Sequence, residues 1–200
     1  MLKRFAPIIA ITGLCWIVFL ANTLLGHGQW NQYGIIPRHL SSLPGIIWAP
    51  FLHGSYRHLA ANTVPLLILG LILCARSKGE FIAVTSAGVL VGGGLTWLLA
   101  RNAVHIGASG LIFSYFGYLA SLAWFDRKIG TVLLSLVCLV AYGGMIRGVF
   151  PTSVPISWEG HLAGLMSGIA MAWLNSKLSK PSKEKLTAQP QLPSGADVWR

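Results

Sequence analysis

Six long stretches of this chain contain no Asp, Glu, Lys or Arg. Each is close to the roughly 20 residues that an α-helix needs to cross the hydrocarbon core of a bilayer. With 54% hydrophobic and 10% charged residues and a mean hydropathy of +0.65, the chain has too few polar residues to cover a soluble domain. We therefore predict an all-α membrane protein with six transmembrane helices, roughly at residues 5–26, 58–75, 81–100, 107–125, 129–146 and 160–175.

The rest of the chain divides into a loop and a tail. Residues 1–176 form one predicted membrane domain, and residues 177–200 are polar, basic and proline-containing, which predicts a disordered cytoplasmic tail. The long segment 27–57 contains prolines and aromatic residues, which predicts an interfacial loop on the outer leaflet between helices one and two. The first apolar run is long for a cleaved signal peptide, so we interpret it as a retained anchor.

The net charge of +10 reflects topology rather than a nucleic-acid groove. If the N-terminus is inside, eleven of the fifteen Lys and Arg residues lie on the cytoplasmic side, and only Arg38, Arg57, Arg101 and Arg147 lie outside. This asymmetry follows the positive-inside rule and favours contact with anionic lipid headgroups. We predict a multi-pass protein of the cell (inner) membrane with both termini cytoplasmic and no nucleic-acid partner.

Four polar side chains in the predicted spans need an explanation, because polar groups in hydrocarbon are expensive. His58 and Asn62 are four residues apart and share a helix face. Ser109 and His161 begin two other spans, and all four residues lie at a similar depth below the predicted outer surface. Taken singly, each has a structural explanation: a serine bonded to its own helix, an interfacial histidine, or an asparagine joining two helices. Together they indicate a site.

Three motifs carry these residues: "HLAAN" at 58–62, "GASG" at 107–110 and "GHLAGLMSG" at 160–168. In this order and on these spans, they resemble the signatures of the rhomboid intramembrane serine proteases, of the short six-helix bacterial type. The resemblance covers nearly the whole chain up to the tail. It implies a rhomboid-like bundle and a serine endopeptidase that cuts membrane proteins in or near their transmembrane segments, with no cofactor and no metal.

The resemblance also implies a role for each site residue. Ser109 is the expected nucleophile and His161 its general base, while His58, Asn62 and the Ser109 backbone N–H are the expected oxyanion hole. Two departures are visible: Phe113 stands where the family commonly has tyrosine, and the long outer loop lacks the Trp-Arg pair found in some members. The expected packing residues around the site are Gly107, Gly110, Phe113, Gly160, Gly164 and Gly168.

The charge map independently disfavours a catalytic acid. Glu159 is the only carboxylate on the predicted outer side, and it is two residues from His161. On a helix of 3.6 residues per turn, that separation points the two side chains about 200° apart. A dyad is therefore expected rather than a Ser-His-Asp triad.

Other functions remain open at this point. A catalytically inactive relative that binds transmembrane segments would usually lack Ser109 or His161, and a transporter would more often carry charges at mid-span. A metal site is a further alternative, because all six histidines fall on the predicted outer half. However, His53 and His58 are five residues apart, a spacing that does not bring two ligands together on a regular helix. The zinc-protease motif H-E-x-x-H is also absent. The expected partners are transmembrane protein substrates and the lipid bilayer. The sequence indicates neither the identity of the substrate nor the oligomeric state.

Overall fold

The computed structural model describes residues 2–152 and 156–178. A π-helical turn, Ala87–Gly92, joins two of its helices into one continuous segment. Within the described residues there are thus six long helical segments, which confirms the predicted all-α bundle. The helices are α1 Ala6–Leu24, α2 Gly45–Trp48, α3 Tyr56–Arg76, α4 Lys78–Ser86, α5 Gly93–Leu99, α6 Ser109–Phe125, α7 Ile129–Tyr142 and α8 Trp158–Leu178.

Among the described residues, four helical segments are long and apolar enough to cross a membrane: α1, α3, the α4–α5 segment, and α7 with the following turn to Val149. Helix α6 has only 17 residues. At 1.5 Å per residue it is about 25 Å long, less than the roughly 30 Å thickness of a hydrocarbon core. It is also the most enclosed helix, since residues such as Tyr115 and Leu119 are fully buried. Its first residue, Ser109, can therefore lie below the membrane surface.

Helix α3 begins where its sequence provides a cap. Ser55 has extended backbone, and its hydroxyl accepts a hydrogen bond from the His58 N–H at 3.1 Å. This N-cap fixes the start of the helix, because serine satisfies an N–H that has no partner in the first turn. His58 consequently lies in the first turn of α3, with Asn62 one turn below it.

Helices α6 and α8 approach each other at glycines. A Cβ atom added to Gly164 would collide with the Gly110 carbonyl oxygen, and one added to Gly168 would collide with the Ser114 carbonyl oxygen. Small residues at such positions let two backbones come into contact, as in other membrane helix pairs. Gly164 and Gly168 therefore allow the backbone of α8 to lie directly against that of α6.

The loop between α1 and α3 consists of short helical turns and packs against the end of α5. The Arg38 guanidinium donates to the Ala100 carbonyl at 2.8 Å, and the Trp97 indole donates to the His39 carbonyl at 3.0 Å. Ile35 pairs with His105 in an isolated antiparallel bridge. The loop is thus attached to the segment that precedes Ser109, and its place at the outer leaflet stays a prediction.

Most of the predicted tail and part of the loop before α8 lie outside the described residues. Helix α8 continues to Leu178, two residues beyond the predicted domain boundary, and the rest of the predicted tail, 179–200, is not described. Residues 153–155 of the loop before α8 are likewise outside the described residues. The three cysteines, Cys15, Cys74 and Cys138, are buried and free.

Candidate active site

Ser109 and His161 lie within hydrogen-bond distance of each other, with 2.8 Å between the serine Oγ and the imidazole Nε2. The other ring nitrogen, Nδ1, lies 2.8 Å from the Gly148 carbonyl oxygen. A carbonyl oxygen can only accept, so in the neutral imidazole Nδ1 carries the hydrogen and Nε2 is left as the acceptor. The Ser109 hydroxyl therefore donates to Nε2, which is the arrangement that a general base requires.

The imidazole of His161 is also held on its face. Phe113 stacks on it, with ring centroids 4.4 Å apart and an angle of 13° between the planes. Phe113 therefore lies face to face with this ring. A Cβ added to Gly148 would lie 3.1 Å from His161 Nδ1 and 3.1 Å from Phe113 Cζ, so this glycine closes tightly over both rings.

The sequence did not reveal Gly148 as part of the site. It lies in the 3₁₀ turn Gly143–Val149 that follows α7, and it acts through its backbone carbonyl. A carbonyl is present in every residue, so only the folded chain shows which one meets the histidine. In a serine triad a carboxylate orients the base through the corresponding nitrogen. Here a peptide carbonyl occupies that place.

Glu159 does not contact His161 through its carboxylate. Its two oxygens pair with the Arg101 guanidinium at 2.8 and 2.9 Å. The carboxylate is thus directed to the segment between α5 and α6. The Glu159 carboxylate therefore pairs with Arg101 and not with the His161 ring.

The turn before Ser109 needs a glycine at position 107. Gly107 has a φ of +112°, a conformation that side-chain-bearing residues rarely adopt. A Cβ at this position would lie 2.7 Å from the His58 ring. The absence of a side chain therefore allows His58 to pack against the backbone that leads into the candidate nucleophile.

Asn62 is buried, with 6% of its surface exposed, and its amide donates to the His58 carbonyl at 2.8 Å. This bond uses one N–H of the side chain and leaves the second for another acceptor. Ser109 is the first residue of α6, so its backbone N–H is one of those that have no partner within the helix. The three groups predicted to form an oxyanion hole are thus a buried amide, an imidazole beside Gly107 and a helix-terminal N–H.

His53 lies close to His58 in the folded chain. Its ring meets that of His58 edge to face, with centroids 5.0 Å apart. The spacing argument against proximity was wrong because His53 precedes α3 and does not follow helical geometry. Its Nε2 accepts a hydrogen bond from the Ala108 N–H at 3.4 Å, and its Nδ1 lies 3.3 Å from the Phe51 carbonyl. His53 therefore supports the turn that presents Ser109.

No group of three or more His, Cys, Asp or Glu side chains that could hold a metal ion occurs among residues 2–152 and 156–178. A narrow cavity of about 50 Å³ adjoins Ser109. Its walls are largely glycine backbone and apolar side chains, with polar groups from Thr96, His105 and Ser157. The remaining predicted packing residues, Gly110 and Gly160, also line this cavity.

The fold and these contacts define a multi-pass helical membrane protein with a serine-histidine pair at the start of two adjoining helices. A family model described as "Rhomboid domain" matches residues 41–178. This chain belongs to the rhomboid family.

Its relatives extend over most of the chain. An uncharacterized protein of Mycobacterium tuberculosis is 36% identical over 186 residues, which cover 88% of this chain and 76% of the relative. An uncharacterized protein of Mycobacterium leprae is 36% identical over 197 residues, covering 92% and 78%. Rhomboid-like protein 11, chloroplastic, of Arabidopsis thaliana is 30% identical over 194 residues, covering 86% and 69%.

Proposed function

We propose that this protein is an intramembrane serine endopeptidase that hydrolyses peptide bonds in or near the transmembrane segments of other membrane proteins. The observation that carries the proposal is the 2.8 Å contact between Ser109 Oγ and His161 Nε2, made by a histidine whose Nδ1 donates to a carbonyl. The hydroxyl of the nucleophile thus bonds to the base, and the base bonds to an orienting group, as in other serine hydrolases.

The proposed reaction begins when Ser109 Oγ attacks the carbonyl carbon of the substrate. Its proton passes to His161 Nε2, and negative charge develops on the former carbonyl oxygen. Asn62, His58 and the Ser109 N–H supply the donors for this oxyanion, a contribution of typically about 10²–10³ in rate for each donor. Collapse of the intermediate breaks the C–N bond, and the imidazolium returns the proton to the departing amine.

The second half of the reaction releases the acyl group. A water molecule loses a proton to His161 Nε2 as it attacks the ester carbon, and Ser109 leaves with that proton. The Gly148 carbonyl keeps Nδ1 protonated throughout, so that Nε2 stays available for both transfers. The stacked Phe113 ring restricts rotation of the imidazole between them.

The membrane environment sets the substrate class. The site lies where α6 and α8 begin within a bundle of apolar helices, so an extended segment of another membrane protein reaches it from the bilayer or its outer surface. We further propose that the protein resides in the cell membrane with both termini cytoplasmic, from the distribution of its Lys and Arg residues.

Reconstitution with a fluorescent transmembrane substrate tests the proposal. Wild type is expected to cleave it in liposomes, and Ser109→Ala and His161→Ala are expected to be inactive while remaining folded. Binding of the substrate without cleavage by wild type would instead identify a non-catalytic relative that recognises transmembrane segments.

A further inference from the structure

Beside the serine-histidine pair, a second set of contacts joins the segment before α6 to the beginning of α8. The segment between α5 and α6 contributes Arg101 and His105, and the start of α8 contributes Ser157 and Glu159. The His105 Nδ1 and the Ser157 Oγ are 2.6 Å apart. We call these four residues the cross-loop clamp.

The buried ring of His105 is bonded at both nitrogens. Its Nε2 lies 3.0 Å from the Arg101 carbonyl, which can only accept, so in the neutral ring Nε2 carries the hydrogen. Nδ1 is then the acceptor for the Ser157 hydroxyl. The backbone of His105 is also fixed, because its N–H and carbonyl both pair with Ile35 at 2.8 and 3.0 Å.

Arg101 holds the other side of the clamp. Its guanidinium donates to both oxygens of Glu159 and, at 2.6 Å, to the Ile156 carbonyl. Its backbone N–H donates to Glu159 Oε1 at 3.3 Å. Both bonds from the guanidinium to the Glu159 carboxylate come from the nitrogen Nη1, and the bond to the Ile156 carbonyl comes from Nη2. The residues on both sides of Ser157 are therefore tied to the same short segment.

The register of the clamp relates it to the site. His105 is four residues before Ser109, and Ser157 is four residues before His161. The Ser157 carbonyl accepts the His161 N–H at 3.0 Å, so Ser157 sets the first turn of α8. The bond between His105 and Ser157 thus lies one turn before His161 on the α8 side, and on the other side it lies four residues before Ser109, across the non-helical turn at Gly107.

Building on the function proposed above, we propose that His105 and Ser157, supported by Arg101 and Glu159, are positioning residues that set the distance between Ser109 Oγ and His161 Nε2. The His105 and Ser157 side chains bond to each other and to the Arg101 carbonyl, not to Ser109 Oγ or His161 Nε2. Loss of the bond lets the first turn of α8 shift relative to the turn at Gly107. Misplacement of catalytic groups by about 1 Å costs up to roughly 10²-fold in rate.

Two substitutions of His105 separate its two bonds. In His105→Asn, the side-chain oxygen lies near the position of Nδ1 and can still accept from the Ser157 hydroxyl. In His105→Gln, the amide nitrogen lies near the position of Nε2, so only the donor to the Arg101 carbonyl is kept. Ser157→Ala removes the hydroxyl alone. A matched control is Ser176→Ala, which removes a hydroxyl bonded to Trp173 at the far end of α8.

The measurements are kcat and KM for a reconstituted transmembrane substrate, the rate of Ser109 labelling by a fluorophosphonate probe, and the thermal unfolding midpoint. Ser157→Ala and His105→Gln are expected to lower both kcat and the labelling rate by roughly tenfold to a hundredfold, with KM within about twofold of wild type. His105→Asn is expected to lose less than His105→Gln, and Ser176→Ala is expected to match wild type.

A clamp that only stabilises the fold would lower the unfolding midpoint and leave kcat and the labelling rate of the folded fraction unchanged, which would overturn the proposal. Equal losses in His105→Asn and His105→Gln would also contradict it. If His105→Gln does not fold, Ser157→Ala decides the question alone. A wild-type protein that neither cleaves nor labels would reject the proposed function first, and the positioning role with it.

Discussion

The His161 imidazole lies against the Phe113 ring, with centroids 4.4 Å apart and the planes inclined by 13°. A stacked aromatic partner restricts the ring to one plane while leaving both nitrogens free for hydrogen bonds. Of these, Nδ1 meets Gly148 and Nε2 meets Ser109. The three contacts together fix the position of the proposed base without a carboxylate.

Phe113→Leu removes the ring face and keeps an apolar side chain of similar size. Aromatic pairing contributes about 0.5–1.5 kcal/mol beyond area burial, so turnover is expected to fall roughly twofold to tenfold. Turnover and stability are measured beside Phe116→Leu, a buried α6 substitution in the hydrophobic core. Phe116→Leu is expected to lower stability and spare turnover. Equal turnover in the two variants would show that the stacking has no catalytic effect.

Gly148→Ala is expected to disturb the base from its other side. The added methyl group would lie 3.1 Å from both His161 Nδ1 and Phe113 Cζ, so one of the rings must move. A loss of turnover of roughly tenfold or more is expected from the displaced base. Gly144→Ala in the same 3₁₀ turn is the control, because a Cβ there meets nothing within 4 Å. Similar kinetics for both alanine variants would argue against tight packing of Gly148 on the His161 ring.

Asn62→Ala and His58→Ala are expected to lower turnover by about 10²–10³ through loss of an oxyanion donor. Labelling of Ser109 by a fluorophosphonate probe is expected to persist, since nucleophile and base remain. Asn175→Ala is the matched control, because this asparagine bonds to the Tyr118 hydroxyl near the opposite end of α8. Wild-type turnover in Asn62→Ala and His58→Ala would remove both side chains from the proposed oxyanion hole.

We expect His53 to make the stability of the protein depend on pH. Burial lowers the pKa of His53 to about 4, and the neighbouring His58 adds to the shift. Because this pKa is below the value of about 6.5 for an exposed histidine, the unfolded chain binds more protons between these two values. The free energy of unfolding should therefore fall as the pH decreases from about 6.5 to about 4, by up to about 1.4 kcal/mol per pH unit.

The measurement is equilibrium unfolding in mixed micelles at several pH values, for wild type and His53→Gln. The glutamine does not titrate and can still accept from the Ala108 N–H. The His53→Gln variant is expected to lack the part of the pH dependence of the unfolding free energy that His53 contributes. The same slope in both proteins would mean that another group is responsible.

Much of the fold was accessible from the sequence, because each long helix coincides with an uncharged apolar run. Predicted and observed ends differ by a few residues, since caps such as Ser55 and Ser77 determine them. The π-helical turn at Ala87–Gly92 had no sequence signal. The fourth run was predicted to begin at 107, whereas the helix begins at Ser109, because Gly107 adopts a positive φ.

The site was predictable only where side chains in a motif carry it. Ser109, His161, His58 and Asn62 could be named from their spacing and from a family resemblance. The Gly148 carbonyl and the placement of His53 depend on how a turn and a loop fold, and neither leaves a pattern in the sequence. Likewise, the partner of Glu159 could not be identified from spacing, although its direction away from His161 could.

Active-site labelling tests the central claim most directly. A fluorophosphonate probe forms a covalent bond with a serine oxygen only when a nearby base activates it. In liposomes, the wild-type protein is expected to be labelled, with peptide mass spectrometry placing the adduct on Ser109, and Ser109→Ala and His161→Ala are expected to remain unlabelled. An unlabelled wild type, or a His161→Ala variant labelled as fast as wild type, would contradict the account.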